Sequence, residues 1–354
     1  MRKYGTDYKK MTVDLLEETE FSKLLPADKT KCIGIKPNLM SCIPAEFGAT
    51  THHEICEAIV EYLQKIEYNN IVIIEGSWVG DKTREAFEIC GYNKIAEKYG
   101  VKIHDTQNDG YFEMPCEGID VKVCDSVKEI DFLINVPVVK GHCQTNVTCA
   151  LKNMKGLIPN VEKRRFHAMG LHKPIAVLNK CIKQDFIVVD HICGDLDCES
   201  GGNPYYSNCI MAATDPVLVD AFVCKLLGYG LEDVPYIGFA EKLGVGTTDL
   251  SGVGEISETL PVTHRIFKLR DRVQDVDTCS ACYESLMRAL SELNSEGILD
   301  NFNEKILIGQ GNRGKCGGYG IGNCTKNFDY NIPGCPPKAE DIYAGIKKWM
   351  GEEK

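Results

Sequence analysis

The chain has 354 residues, more than one typical hydrophobic core holds, and its 44% hydrophobic and 26% charged content is that of an ordinary globular protein. The net charge of -11 argues against nucleic acid as a main partner, because phosphate binding requires clustered Lys and Arg. The longest apolar run, residues 132–139, is far shorter than the ~20 residues of a membrane helix. The N-terminal residues lack the apolar stretch of a signal peptide. We therefore expect a cytoplasmic protein without membrane contact.

Short runs rich in Val and Ile, apolar at nearly every position, predict strands that are buried on both faces of a mainly parallel sheet. These runs cover residues 32–36, 71–75, 101–105, 132–139, 186–190, 209–213 and 305–309. Apolar residues at helical spacing predict helices over 52–66 and, after the capping residue Asp215, over 215–228. The alternation of strands and helices predicts an α/β fold with helices on the faces of the sheet.

A domain boundary is predicted near residue 260. Residues 244–265 are rich in Gly, Ser and Thr and have no clear periodicity, as expected of a loop. We therefore predict an α/β domain over residues 1–260 and a small cysteine-rich domain over 261–354. The small domain is expected to contain helices over 280–293 and 339–350.

The second predicted domain concentrates five of the 18 cysteines of the chain: Cys279, Cys282, Cys316, Cys324 and Cys335. The first two form a CxxC pair, a spacing that lets two thiolates of one turn face the same ion. Asp277 and Thr278 are predicted to cap the helix that begins there, whose N-terminus would stabilise thiolates. The glycines and prolines around the later cysteines leave room for a bulky group and stiffen the backbone.

Four explanations compete for this cluster of cysteines. Disulfides are disfavoured in a reducing cytoplasm, and simple core packing does not explain the glycine and proline neighbours. Zinc and iron–sulfur clusters use the same thiolate ligands, but structural zinc more often uses two CxxC pairs, and only one is present. We therefore predict a 4Fe–4S cluster bound by Cys279, Cys282, Cys324 and Cys335, with Cys316 as the alternative to Cys324.

Polar residues follow the predicted strand 132–139, at the end where open α/β sheets bind ligands. The segment 143–156 is interpreted as a helix that presents Thr145, Thr148 and Lys152 on one face. The alternative is that this face is simply solvated. The run EKRRFH at 162–167 is interpreted as a solvated loop.

Three sequence features together resemble the domain of unknown function 362 family. They are KPNL at 36–39, VPVVKGHCQTNVTCALKNMKGLIP at 136–159 and the cysteine-containing end. This large prokaryotic family is common in anaerobes, and many members carry iron–sulfur clusters, often in CxxCxxCxxxCP modules. The present chain has CSAC, GNC and GCPP instead; GCPP resembles a cluster-binding turn in hydrogenase small subunits and related quinone oxidoreductases. The resemblance, over roughly residues 30–230, implies a cluster-binding protein but does not supply a reaction.

Our leading hypothesis is an iron–sulfur oxidoreductase that exchanges electrons with a small anionic molecule or a redox partner protein. His142 is expected to transfer a proton, because an unperturbed imidazole titrates near neutral pH. Catalytic roles are predicted for His142, Lys140 and Lys152, and substrate contacts for Lys36, Asn38, Thr145, Asn146 and Lys155. The alternatives are a lyase or hydratase that uses an open cluster iron, and a binding protein that a metal merely stabilises. The oligomeric state is left open.

Overall fold

The computed structural model describes residues 1–254, 260–262 and 265–351. The chain divides into two compact units, one formed by Met1–Lys163 with His172–Val262 and the other by Arg164–Leu171 with Thr263–Lys354. The predicted loop over 244–265 lies partly outside the described residues. The predicted boundary at residue 260 stays a prediction.

Eleven strands and nine helices lie within residues 1–254 of the described chain. The strands are β1 (Arg2–Tyr4), β2 (Ile33–Pro37), β3 (Ile71–Glu75), β4 (Lys102–Asp105), β5 (Tyr111–Cys116), β6 (Ile119–Cys124), β7 (Phe132–Val136), β8 (Lys140–His142), β9 (Asn146–Thr148), β10 (Phe186–Asp195) and β11 (Pro204–Ala213). The helices are α1 (Tyr8–Glu18), α2 (His53–Lys65), α3 (Thr83–Ile89), α4 (Tyr92–Tyr99), α5 (Ala150–Asn153), α6 (Asn160–Ala168), α7 (His172–Cys181), α8 (Pro216–Leu226) and α9 (Pro235–Lys242). None of the helices in the described ranges combines the length and the apolar composition that crossing a membrane requires.

The central sheet has seven strands in the order β1-β11-β10-β7-β2-β3-β4. The five strands from β10 to β4 are parallel to one another, whereas β11 runs antiparallel to both of its neighbours. Every residue of β2, β7 and β10 is buried, which explains why their sequences are mostly apolar. Residues of α1 and α2 share one hydrophobic core with these strands, so the prediction of a mainly parallel sheet flanked by helices is confirmed.

The predicted elements with strong patterns are confirmed. Each of the six strands predicted within residues 1–254 overlaps an observed strand, and β3 matches its prediction at both ends. Helix α8 begins directly after Asp215, whose carboxylate accepts hydrogen bonds from the backbone N–H groups of Val217 (2.8 Å) and Leu218 (2.9 Å). This is the capping role expected of an Asp–Pro helix start.

The predicted helix over 143–156 is wrong. Strands β8 and β9 form an antiparallel hairpin in which Lys140 pairs with Thr148 and His142 pairs with Asn146. Asn146 has a φ of 63°, a left-handed conformation that ends a helix but suits a turn. Only the short helix α5 follows, so Thr145, Thr148 and Lys152 do not share a helix face.

The run at 162–167 is also not a solvated loop. It lies in helix α6, and Lys163 in it is only 5% exposed. The charges of the run were misleading because a long lysine side chain can extend inward to buried carbonyl groups.

The second unit is built on a small sheet of four parallel strands, in the order β12-β13-β14-β15. Its elements are α10 (Arg265–Leu269), β12 (Val273–Asp275), α11 (Ser280–Ser295), β13 (Ile306–Ile308), β14 (Tyr319–Ile321), β15 (Tyr330–Ile332) and α12 (Ala339–Trp349). Helices α11 and α12 and strand β13 were predicted and are confirmed. The predicted caps of α11, Asp277 and Thr278, are wrong: Cys279 itself is the residue that precedes the helix.

Candidate functional site

A buried ion pair lies at the carboxyl ends of two adjacent parallel strands. Lys36 near the end of β2 and Glu75 at the end of β3 are in direct contact, and they are 0% and 3% exposed. The Lys36 ammonium also donates a hydrogen bond to the carbonyl of Pro37 at 2.9 Å. Burial lowers the pKa of Lys36, and the Glu75 carboxylate opposes this shift. The charge of Lys36 is therefore balanced inside the protein.

Gly156, from the central motif, packs directly against this ion pair. A Cβ atom at Gly156 would lie 2.0 Å from Glu75 Oε1 and 2.6 Å from Lys36 Nζ. The motif therefore requires glycine at this position because any side chain would displace the pair.

We expect Gly156→Ala to lower the free energy of unfolding by about 1–3 kcal/mol, the usual cost of overpacking a buried site. Gly238→Ala is the matched control, since it lies within α9 and its Cβ would meet nothing within 4 Å. That variant should gain about 0.5–1 kcal/mol. Urea denaturation of both variants checks the prediction. An equal change in the free energy of unfolding of the two variants would contradict it.

A second buried lysine lies beside this pair. Lys163 donates hydrogen bonds to the carbonyl oxygens of Gly76 (3.0 Å) and Ser77 (2.8 Å). Burial lowers its pKa from 10.5 to about 8. The sequence interpretation missed this residue because it lies in a run of charged residues, which is typical of a solvated segment.

The lowered pKa of Lys163 predicts a change of stability with pH. Between pH 8 and 10.5 the unfolded amine keeps a proton that the folded one has released, so the contribution of Lys163 to the free energy of unfolding should rise with pH across this range. The full rise of this contribution is about 3 kcal/mol. In urea denaturation at pH values spanning this interval, the free energy of unfolding of the natural protein minus that of Lys163→Met should therefore increase with pH. Parallel curves for the two proteins would contradict the assignment.

Two further predicted site residues are brought together by the fold. The Lys140 ammonium, at the start of β8, donates hydrogen bonds to Asn38 Oδ1 at 3.3 Å and to the carbonyl of Ala49. The backbone N–H of Asn38 in turn donates to Thr51 Oγ1 at 2.8 Å. Lys140 and Asn38 are 0% and 5% exposed, so both lie inside the protein.

The other predicted site residues in this region have different surroundings. Thr145 donates its hydroxyl hydrogen to the carbonyl of Val147 at 3.1 Å, and the Asn146 amide donates to the carbonyl of Asp233 at 2.7 Å. Lys152 and Lys155 are half-buried. The catalytic role of Lys152 and the substrate contacts of Thr145, Asn146 and Lys155 stay predictions.

His142 lies at the end of β8 and is 2% exposed. Its Nδ1 accepts hydrogen bonds from the backbone N–H groups of Gln144 (2.9 Å) and Thr145 (3.2 Å), and its Nε2 lies 3.3 Å from Glu199 Oε1. The donor atoms of His142, Cys143 and Glu199 all lie within 4.8 Å of one another, so these residues could hold a metal ion. Sequence reasoning missed Glu199, because nothing in its local pattern indicates that it meets a distant hairpin.

The second unit brings four cysteines to one edge of its parallel sheet. Cys279 and Cys282 follow β12, Cys324 follows β14 and Cys335 follows β15. Since the carboxyl ends of parallel strands meet at one edge, these cysteines lie at the same edge. Cys316 instead precedes β14, on the amino side of the sheet, where it is exposed.

Hydrogen bonds join the loops at this carboxyl edge. Asn323, next to Cys324, donates its backbone N–H to the carbonyl of Gly334 at 2.9 Å, and the Gly334 N–H donates to Asn323 Oδ1 at 2.9 Å. Gln310, after β13, donates its N–H to the carbonyl of Asp277 at 3.2 Å. These contacts hold the loops that carry the cysteines in a fixed arrangement.

The thiols at this edge influence one another electrostatically. Burial, followed by the charges of Cys279, Cys335 and Cys324, raises the pKa of Cys282 to about 12. A hydrogen bond to Cys324 raises the pKa of Arg313. None of the 18 cysteines forms a disulfide in the described part of the chain, which contains them all. Deprotonation of all four thiols would bring negative charges close together, which a cationic metal centre would compensate, so the residues present are suited to a metal cofactor.

A family model described as "Domain of unknown function (DUF362)" matches residues 33–225, more than half of the chain. The chain belongs to this DUF362 family. The resemblance noted in the sequence is thus confirmed, and the matched region contains β2, the β8–β9 hairpin and Gly156. It ends before the cysteines of the second unit, so the family match by itself does not assign them a role.

Individual relatives of this DUF362 chain are distant. The "Thylakoid-associated protein sll1697" of Synechocystis sp. (strain ATCC 27184 / PCC 6803 / Kazusa) is 22% identical over 237 residues, which are 65% of this chain and 71% of the relative. A Thermotoga maritima crystal structure matches with a TM-score of 0.42 and 15% identity, covering 64% of this chain and 60% of that one. The lactate racemase apoprotein of Thermoanaerobacterium thermosaccharolyticum matches with a TM-score of 0.40 and 14% identity, covering 58% and 53%. The chain thus spans less than two thirds of either solved protein.

Proposed function

We propose that this protein binds one 4Fe–4S cluster through Cys279, Cys282, Cys324 and Cys335 and uses it to transfer electrons. The observation that carries the proposal is the convergence of three cysteine-bearing loops on the carboxyl edge of one small parallel sheet. Such a cluster supplies one-electron redox chemistry when bound to four thiolates.

The distribution of the cysteines along the chain favours a cluster over a single zinc ion. Structural zinc more often uses two CxxC pairs, and here only Cys279 and Cys282 form one. A cluster attaches each cysteine to a different iron, which suits four cysteines that are carried by three separate loops.

Three further features of the edge suit electron transfer. The guanidinium of Arg313 is hydrogen-bonded to Cys324, and hydrogen bonds and charges at the ligand sulfurs are known to tune the potential of a cluster. Cys335 is exposed, so a redox partner can come close to this ligand. His167 lies 3.4 Å from the hydroxyl of Ser280, between the two cysteines of the CxxC pair, and adds an imidazole at the same edge.

The electron partner in this proposal is a redox protein or a small anionic molecule. Lys36 is paired with Glu75, and Lys140 is enclosed by Asn38 and Ala49. Lys152 and Lys155 are half-buried, so of the four predicted lysines these two are the ones that solvent, and with it an anion, can reach. The 18 cysteines without a disulfide suit a reducing compartment such as the cytoplasm.

The redox role is tested on protein purified without oxygen. Addition of dithionite should bleach the visible absorption of the natural protein and produce an EPR signal, and air should reverse the bleaching. Iron that stays bound while absorption and EPR remain unchanged by dithionite would contradict electron transfer and favour a structural role for the metal.

A further inference from the structure

The β8–β9 hairpin is pressed against the segment that follows β10. A Cβ atom at Gly141 would lie 2.4 Å from the carbonyl oxygen of Leu196, so only glycine allows the two backbones to come this close. The carboxylate of Asp195 accepts hydrogen bonds from the backbone N–H groups of Asp197 and Cys198, both at 3.0 Å. These bonds turn the segment so that Glu199 meets the hairpin.

The meeting point collects three different metal-binding groups. Glu199 Oε2 accepts the backbone N–H of Cys143 at 2.9 Å, and Glu199 Oε1 lies 3.0 Å from Cys143 Sγ and 3.3 Å from His142 Nε2. His142, Cys143 and Glu199 are 2%, 0% and 2% exposed. Their donor atoms lie within 4.8 Å of one another, close enough to share one ion.

We propose that His142, Cys143 and Glu199 form a second metal site, which binds a divalent ion of the Zn²⁺ class. A thiolate, an imidazole and a carboxylate are all ligands of Zn²⁺, and three protein ligands leave a fourth position for water. The charge balance also favours a divalent ion, because its positive charge compensates the buried carboxylate and the thiolate that forms when the thiol loses its proton. This site is separate from the cysteines of the second unit, so it does not depend on the proposed cluster.

The hydrogen bonds of His142 fix the proton balance of binding. Its Nδ1 accepts two backbone N–H groups, so the ring proton of the metal-free protein is on Nε2, which faces Glu199. Coordination through Nε2 requires a neutral ring, so this proton moves to Nδ1, which gives up its two backbone N–H contacts, and the proton of the Cys143 thiol leaves. One ion therefore binds as about one proton leaves.

The test uses Zn²⁺ as the probe, on anaerobically purified full-length protein that has kept its iron. After gel filtration the natural protein should retain about one Zn²⁺ per chain, with unchanged iron content and with release of about one proton in a weakly buffered titration. Glu199→Gln and Cys143→Ala should each weaken Zn²⁺ binding at least about 100-fold. Cys149→Ala, a buried cysteine of the same segment outside the three donors, should bind as the natural protein does.

Several results would overturn the proposal. They are a natural protein that retains no Zn²⁺, Zn²⁺ uptake that displaces iron, or equal affinity in Glu199→Gln and the natural protein. If Cys143→Ala does not fold, Glu199→Gln decides alone, because glutamine preserves the size of the side chain. Circular dichroism and iron content establish which variants are folded.

Discussion

Cys335→Ala should lose nearly all of its iron and acid-labile sulfide. Cys335 follows β15 at the carboxyl edge of the small sheet, where its loop is tied to the Cys324 loop by two hydrogen bonds between Asn323 and Gly334. A cluster held by three of its four thiolates is open to solvent and oxygen at the vacated iron. The second unit should then unfold at lower denaturant concentration, because metal binding and folding are coupled.

Cys316→Ala is the matched control for this prediction. Cys316 and Cys335 are both exposed cysteines of the second unit, but Cys316 lies on the amino side of β14. The control should keep its iron, sulfide and stability. If both variants lose iron and sulfide equally, or if both retain them, Cys335 is not the cluster ligand that we assign.

Glu75→Ala should lower the free energy of unfolding by about 3–5 kcal/mol, the largest effect we expect in the first unit. The substitution leaves the Lys36 ammonium buried without the carboxylate that balances it. It also leaves a space where Glu75 packs against Gly156. Urea denaturation followed by circular dichroism measures the change.

An exposed ion pair provides the comparison. Lys82 and Glu85 lie 2.7 Å apart at the surface, and Glu85→Ala should cost less than about 1 kcal/mol. The ratio of the losses in free energy of unfolding of the two variants therefore separates the effect of burying an ion pair from the effect of pairing itself. Similar costs for Glu75→Ala and Glu85→Ala would show that the Lys36 ammonium finds another partner.

The parallel sheet could be predicted from the sequence because burial on both faces leaves a direct trace in it. Strand β3, for example, is a continuous apolar run that ends in Glu75, and β7 is apolar except for Asn135. The β8–β9 hairpin left no such trace, since its strands have three residues each and its interior is polar. Strands β12, β14 and β15 were missed because none of them lies in a continuous apolar run, whereas β13, which is equally short, does.

The residues of the candidate sites likewise differ in whether a local sequence pattern indicates them. The CxxC pair and the glycine- and proline-flanked cysteines are local patterns, so they could be singled out without a structure. Glu199 and Lys163 could not, because their importance comes from contacts with residues distant in the chain, His142 and Gly76. The anionic site predicted around Lys36 and Lys140 assumed open surroundings, whereas both side chains are fully buried.

The most direct test of the proposed cluster is quantification of iron and acid-labile sulfide in protein purified without oxygen. We predict about four iron atoms and about four sulfides per chain, in a brown protein. A colourless protein that contains one zinc ion and no sulfide would contradict the proposal.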